Sequence, residues 1–143
     1  MHINSEKSGL ITTGSKDDRV TRIGHFLRKY KLDELPQLFN IFKGEMSIVG
    51  PRPEVRKYVD FYTDLQLHVL SVRPGLTDYA SLVYMNEGEL LGKHKDPEKF
   101  YVEEIMPEKL ALNLKYLEDK NLKTDLQIII KTMKQIISGS DTK

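Results

Sequence analysis

KLDELPQLFNIFKGEMSIVGPRP, residues 31–53, holds a helix start, a helix stop, an apolar run and a stiff turn. Asp33 can cap a helix whose first turn then contains Pro36, where a missing N–H costs nothing. Leu35, Leu38, Phe39 and Phe42 fall on one stripe of that helix, which makes it amphipathic over 33–43. Lys43-Gly44 ends it, with glycine just past the last helical residue. Met46 to Val49 is short and apolar, the pattern of a buried extended segment. Arg52 then stands between Pro51 and Pro53, whose rings stiffen the backbone on both sides of it.

Working outward, the same alternation of short helix and punctuation recurs. Val20 to Tyr30 can form a helix with Ile23, Phe26, Leu27 and Tyr30 on one face. Glu54 to Tyr62 and Asp64 to Leu70 read as two short helices, and Arg73-Pro74-Gly75 as a turn. Leu76 to Tyr84 is rich in aromatic and β-branched residues and reads as a strand. Asn86 to Lys95 reads as a loop, and Asp96-Pro97-Glu98 as a capped helix start. Pro107 should kink or restart that helix. Thr124 or Asp125 opens the last one, where Leu126, Ile129, Ile130, Met133, Ile136 and Ile137 form a wide apolar face. The expected fold is mainly α: a single small domain of short amphipathic helices with one or two short strands. Its expected limits are 19–137, after a flexible segment 1–18 and before a tail 138–143.

The 143 residues suit one core,. The chain has no cysteine, which excludes disulfides and thiolate metal sites and points to a reducing compartment. No run of about 18 apolar residues is present, so no segment reads as a membrane-spanning helix. The first residues lack the apolar core of a signal peptide. Net charge is only +1, so nothing global points to nucleic acid. Charge is nevertheless uneven. Between Arg19 and Lys57 nine basic residues face four acidic ones, and all six arginines lie between Arg19 and Arg73. Arginine offers a planar fork matched to phosphate. That region either carries ordinary solvated charge or faces an anionic ligand or membrane surface.

Two adjacent acids, Asp33 and Glu34, stand in this basic region. By residue type alone such a pair most often only complements the helix dipole. A carboxylate there could also attack a phosphoryl group neutralised by cations. Glu34 could help hold Mg²⁺, a hard ion that keeps few protein ligands and bridges phosphate oxygens. Arg52 either pairs with an acid on a rigid turn or is aimed at a ligand. Together with Arg28 and Arg73 it could clamp a diphosphate. The four histidines show no metal-ligand spacing,. Neither a nucleophile elbow nor a glycine-rich phosphate loop occurs. Tyr79, Tyr84 and Tyr101 read as core or rim residues.

The run LRKYKLDELPQLFNIFKGEMSIVGPRP resembles the bacterial sugar transferases of the monotopic polyprenyl-phosphate phosphoglycosyl transferase family. The resemblance extends over about residues 17–137, through DDRVTRIGHFLRK, VRPGLTDYASLVYMNEGELL, DPEKFYVEEIMPEKLALNLKYL and KTDLQIIIKTM, in order. It implies transfer of a sugar-1-phosphate from a UDP-sugar to a polyprenyl phosphate, usually undecaprenyl phosphate, at the start of surface polysaccharide or glycoconjugate assembly. The family's nucleophilic aspartate falls on Asp33, which would form a covalent phosphosugar intermediate and release UMP. Its partner glutamate, linked to Mg²⁺, falls on Glu34. Substrate-binding arginines fall on Arg52, Arg28 and Arg73, and a late acid linked to the metal on Asp125. The implied setting is the cytoplasmic face of the bacterial inner membrane, with a homodimer as a further implied partner.

Two departures from the family pattern stand out. The family's hydrophobic membrane-re-entrant helix and the basic segment after it, which carries a site lysine, are not in this sequence. This chain by itself therefore reads as soluble. The usual Pro-Gly-Ile-Thr-Gly turn is PGLTD here, with Asp78 in place of the last glycine, a change that bears on which sugar is bound. An alternative reading follows from the first departure: an inactive module that binds a nucleotide sugar, a membrane surface or a partner glycosyltransferase. A weaker one makes residues 126–137 an interaction face.

Overall fold

Two glycines set how closely the two strands can meet. The computed structural model describes residues 20–52 and 54–138. Among these, β1 (Ser47–Val49) and β2 (Gly75–Thr77) pair in parallel, with Ser47 opposite Gly75 and Val49 opposite Thr77. The Gly50 N–H donates to Thr77 O at 3.0 Å and the Gly75 N–H to Pro51 O at 3.1 Å. A Cβ on Gly50 would lie 2.8 Å from the Arg73 carbonyl oxygen, and one on Gly75 would collide with the Gly50 backbone. Parallel pairing needs a long crossover. Here it contains α3 (Arg56–Val59), α4 (Asp64–Leu67) and the 3₁₀ turn His68–Ser71. Thr63 starts α4 with a reciprocal capping box to Gln66,.

The remaining regular structure among the described residues is helical. α1 (Arg22–Lys29) starts at Thr21, whose hydroxyl accepts from Gly24 N–H at 3.1 Å. A 3₁₀ turn (Leu32–Glu34) and α2 (Gln37–Phe42) precede β1. After β2 come α5 (Tyr79–Val83), α6 (Glu87–Leu91), α7 (Pro97–Phe100), α8 (Met106–Asp119) and α9 (Leu122–Ser138). Asp96 caps α7 from Lys99 N–H at 3.0 Å, with Pro97 in the first turn. A π turn over Tyr101–Ile105 joins α7 to α8. It lies just ahead of Pro107 in the first turn of α8, where a residue without an N–H breaks the regular ladder.

α8 is the spine of the core. Its Met106 and Leu110 pack with Tyr58, Val69, Leu91, Tyr101 and Ile105. Tyr116, one end further along, packs with Val49 of β1 and Ile128 of α9.

Several expected boundaries moved. Asp33 is not an N-cap: it sits inside the 3₁₀ turn, and Pro36 caps α2 instead. Of the expected 76–84 strand, only residues 76 and 77 belong to β2, which spans Gly75–Thr77. Asp78 accepts from Ser81 N–H at 2.6 Å and turns the chain into α5, so a local cap overrides the β propensity. The expected loop 86–95 contains α6. α9 opens at Leu122, ahead of Thr124, whose N–H is capped by Asn121 Oδ1 at 3.0 Å. On α9, Ile128 is buried while Leu126, Ile130, Met133 and Ile137 are exposed, so most of its apolar face is not core. The expectations for residues 1–18, for Pro53 and for the tail beyond Ser138 lie outside the described residues.

Candidate active site

Lys31 is the one non-glycine residue with positive φ among those described, at 55°. L-residues rarely take this left-handed conformation. It reverses the chain between α1 and the 3₁₀ turn, and Lys31 N–H then donates to Arg28 O at 3.1 Å. The reversal brings Arg28 Nε to 4.0 Å from Asp33 Oδ2. Glu34 Oε1 lies 2.9 Å from Arg52 Nη1 and 3.8 Å from Lys31 Nζ. The two acids therefore differ. Among the described residues, the Asp33 side chain, 41% exposed, has one loose cationic neighbour, whereas that of Glu34, 17% exposed, has two.

Arg52 is positioned by more than its prolines. Asp78 is 1% exposed, and its Oδ2 accepts from the Arg52 backbone N–H at 3.3 Å while its Oδ1 caps α5. Asp78 thus ties the arginine segment to the end of β2. The sequence marked Asp78 as a variant position but showed nothing of this tether, which spans 26 residues.

Arg28, Asp33, Glu34 and Arg52 line a common cavity of about 1040 Å³. Arg73 and Asp125 do not line it. The Arg73 guanidinium lies by the Gly44 turn, 3.9 Å from where a Cβ on Gly44 would be. Asp125 Oδ1 accepts from the Tyr116 hydroxyl at 2.8 Å. Burial, then this carboxylate, pushes the Tyr116 hydroxyl above its ordinary pKa.

The cavity extends to a second polar group that the sequence did not single out. Lys109 Nζ contacts Glu87 Oε2 at 2.9 Å and Glu54 Oε1 at 3.1 Å. Tyr101 donates its hydroxyl to Glu54 Oε1. Burial acts to lower the Lys109 pKa, but Glu54 and Glu87 outweigh it and leave it raised. Burial, followed by Glu54, pushes the Tyr101 hydroxyl well up. One signal was legible: Lys109 sits one turn from the buried Ile105 and one turn from the buried Asn113, a charged residue on a core-facing helix side,.

Exposed apolar side chains stand on α1, on α2 and on the residues between the dyad and α2. Phe42 is 92% exposed and Phe39 73%, with Ile23, Phe26 and Leu35 also exposed. No described helix is long and apolar enough to cross a membrane.

The family model described as "Bacterial sugar transferase" matches residues 1–139. The chain belongs to the bacterial sugar transferase family. A UDP-N-acetylgalactosamine-undecaprenyl-phosphate N-acetylgalactosaminephosphotransferase of Aeromonas hydrophila is 35% identical over 95% of this chain and 30% of that protein. A UDP-glucose:undecaprenyl-phosphate glucose-1-phosphate transferase of Caulobacter vibrioides is 31% identical over 96% of this chain and 49% of that protein. The exopolysaccharide production protein ExoY of Rhizobium meliloti is 37% identical over 82% of this chain and 45% of that protein. This bacterial sugar transferase chain thus spans less than half the length of these curated relatives.

Proposed function

We propose that this chain carries the catalytic site of a phosphoglycosyl transferase that moves a sugar-1-phosphate from a UDP-sugar to undecaprenyl phosphate. The observation that carries the reading is the unequal acid pair: an accessible Asp33 beside a pinned Glu34, with Arg28 and Arg52 in the same cavity wall. The relatives' names supply the reaction class.

In this reading an Asp33 carboxylate oxygen attacks the β-phosphorus of the UDP-sugar. The bond to UMP breaks, and UMP leaves with the electron pair. The sugar-1-phosphate is then held on Asp33. A phosphate oxygen of undecaprenyl phosphate attacks the same phosphorus, and the Asp33 carboxylate departs. Arg28 and Arg52 neutralise the diphosphate, and donors fixed in advance act most strongly where charge develops. Arg73, placed by the Gly44 turn, would take part only from outside this cavity wall.

Mg²⁺ fits the donor set as an ion that takes one or two carboxylates and completes its shell with phosphate and water. The described residues contain no cluster of three or more His, Asp or Glu placed to hold a metal. Glu34 would be the ion's ligand within the cavity, whereas Asp125 lies outside the cavity lining and would reach the ion only from there. When bound, the ion would supply positive charge to the diphosphate oxygens.

The exposed apolar residues of α1 and α2 would rest in the cytoplasmic membrane face and hold Asp33 near the lipid phosphate.

Intact-mass spectrometry after mixing with UDP-N-acetylgalactosamine or UDP-glucose and Mg²⁺ tests the chemistry. The expected result is a gain of one phosphosugar, absent in Asp33→Asn. Binding of the nucleotide sugar with neither adduct nor UMP release would instead mark an inactive binding module.

A further inference from the structure

The phosphate chemistry leaves one wall of the cavity unused. Its centre is Lys109, whose ammonium carries three protons and has three partners: Glu87 Oε2, Glu54 Oε1 and the Tyr101 hydroxyl at 3.3 Å. Lys109 is therefore saturated, while the two glutamates are not. Their bonds to Lys109 fall on one oxygen of each, and two carboxylates share one cation.

Three buried polar atoms of residues lining the same cavity have no hydrogen-bond partner among the described residues: Tyr58 Oη, Asn113 Oδ1 and Gln135 Oε1. Tyr58 is 3% exposed and Asn113 5%, and all three residues line the same cavity. Buried polar atoms are nearly always satisfied, so each orphan calls for a partner. Three orphans around one cavity, next to carboxylates with spare lone pairs, match a polar ligand rather than a packing defect.

The chemistry of the unused atoms narrows the ligand. Asn113 Oδ1, Gln135 Oε1 and the free carboxylate oxygens are acceptors, and they outnumber the donors, which are the Tyr58 hydroxyl and the Asn113 amide N–H groups,. Such a wall suits a group rich in hydroxyl donors. A uracil ring offers two carbonyl acceptors and one N–H, so it matches a wall dominated by acceptors less well than a hexose does. Connectivity narrows the position too. Glu54 follows Arg52 by two residues, so their Cα atoms lie within about 7 Å. Both residues line the same cavity, so a sugar bonded directly to a phosphate held by Arg52 shares that cavity with Glu54.

We propose that Glu54, Glu87, Tyr58 and Asn113 form the sugar-binding wall of this site, reading the hydroxyls of the hexose on the nucleotide donor, with Lys109 holding the two glutamates in place. This rests on the phosphoglycosyl transferase reading and assigns the specificity-determining residues within it.

Calorimetric titration of the wild-type chain, Tyr58→Phe and Glu87→Gln with UDP-N-acetylgalactosamine, UDP-glucose and UDP, all with Mg²⁺, tests the assignment. Tyr58→Phe removes a hydroxyl that has no hydrogen-bond partner among the described residues. Its melting temperature should hold or rise, which separates ligand effects from folding. Both variants should lose about tenfold in affinity for the UDP-sugar bound best by wild type, the worth of about one hydrogen bond. Their affinity for UDP should stay within about twofold of wild type, under half a kcal/mol. Equal losses for UDP and UDP-sugar would assign the wall to the nucleotide and overturn the proposal. Unchanged UDP-sugar affinity in both variants, or a wild type that prefers no UDP-sugar over UDP, would overturn it as well. A wild type that binds neither UDP nor a UDP-sugar would sink the donor reading itself, a result visible before any variant is compared.

Discussion

Lys109→Met puts the buried ion network to a quantitative test. Methionine keeps the unbranched stem and deletes the charge. The Lys109 side chain is 16% exposed, and those of Glu54 and Glu87 are 20% and 29% exposed. Breaking a buried pair by removing one partner costs about 3–5 kcal/mol. Two carboxylates lose their cation here but keep some water, so the lower end applies, about 3 kcal/mol. For a chain of 143 residues this corresponds to a melting temperature lower by about 10 °C. Thermal unfolding followed by circular dichroism at pH 7 measures it. Adding Glu87→Gln removes the repulsion and should restore part of the loss. The pH dependence is fixed in sign. The Lys109 pKa is raised in the folded state, so its stabilisation is fully present below the ordinary lysine value, about 10.4. It fades only as pH climbs through the folded value. The deficit of the variant should therefore be constant from neutral pH to about 10 and shrink above that. A single variant that melts within about 2 °C of wild type, worth under 1 kcal/mol, would refute this account of the network.

Asp78→Gly should cost about 2 kcal/mol, because it removes both the cap on Ser81 N–H and the acceptor for Arg52 N–H. Asp78→Asn retains a side-chain oxygen for the cap and should lose less; equal urea midpoints for the two would contradict the tether. Phe39→Ser with Phe42→Ser should abolish co-flotation with phosphatidylglycerol-containing vesicles. Stability should change by no more than about 0.5 kcal/mol, as expected for exposed positions. Retained flotation would remove α2 from the membrane-facing surface.

Where a local rule decided the conformation, the residues announced it. Gly44 has a φ of 78° and stops α2 as its position after Lys43 suggested. Asp96-Pro97 starts α7, and Met46–Val49 contains β1. The misses have a common cause. Asp33 looked like a cap, but the left-handed turn at Lys31 arrives two residues earlier and diverts the chain into a 3₁₀ turn. Tyr79 to Val83 has β-prone residues, yet the Asp78 cap makes it helical. The acid pair and Arg52 were visible because they are close in sequence. Lys109 bonds to partners 22 and 55 residues away, and no local pattern announces such a meeting.

The crossing of Gly50 and Gly75 has a consequence for how the site behaves in time. Arg52 follows directly from that crossing and is tied by the hydrogen bonds of Gly75 to Pro51 and of Arg52 to Asp78. No residue of the 3₁₀ turn bearing Asp33, nor of α2 beyond it, is buried. Local opening is easiest where few buried contacts resist it. One jaw of the site is thus an anvil, fixed to the core through two strands, and the other is a shallow flap carrying Asp33, the proposed nucleophile. Amide protons along 75–78 should outlast those along 32–38 in deuterium exchange. In the proposed reaction, motion of the flap between donor and lipid would break the Glu34–Arg52 ion pair while the Arg52 backbone stays in place.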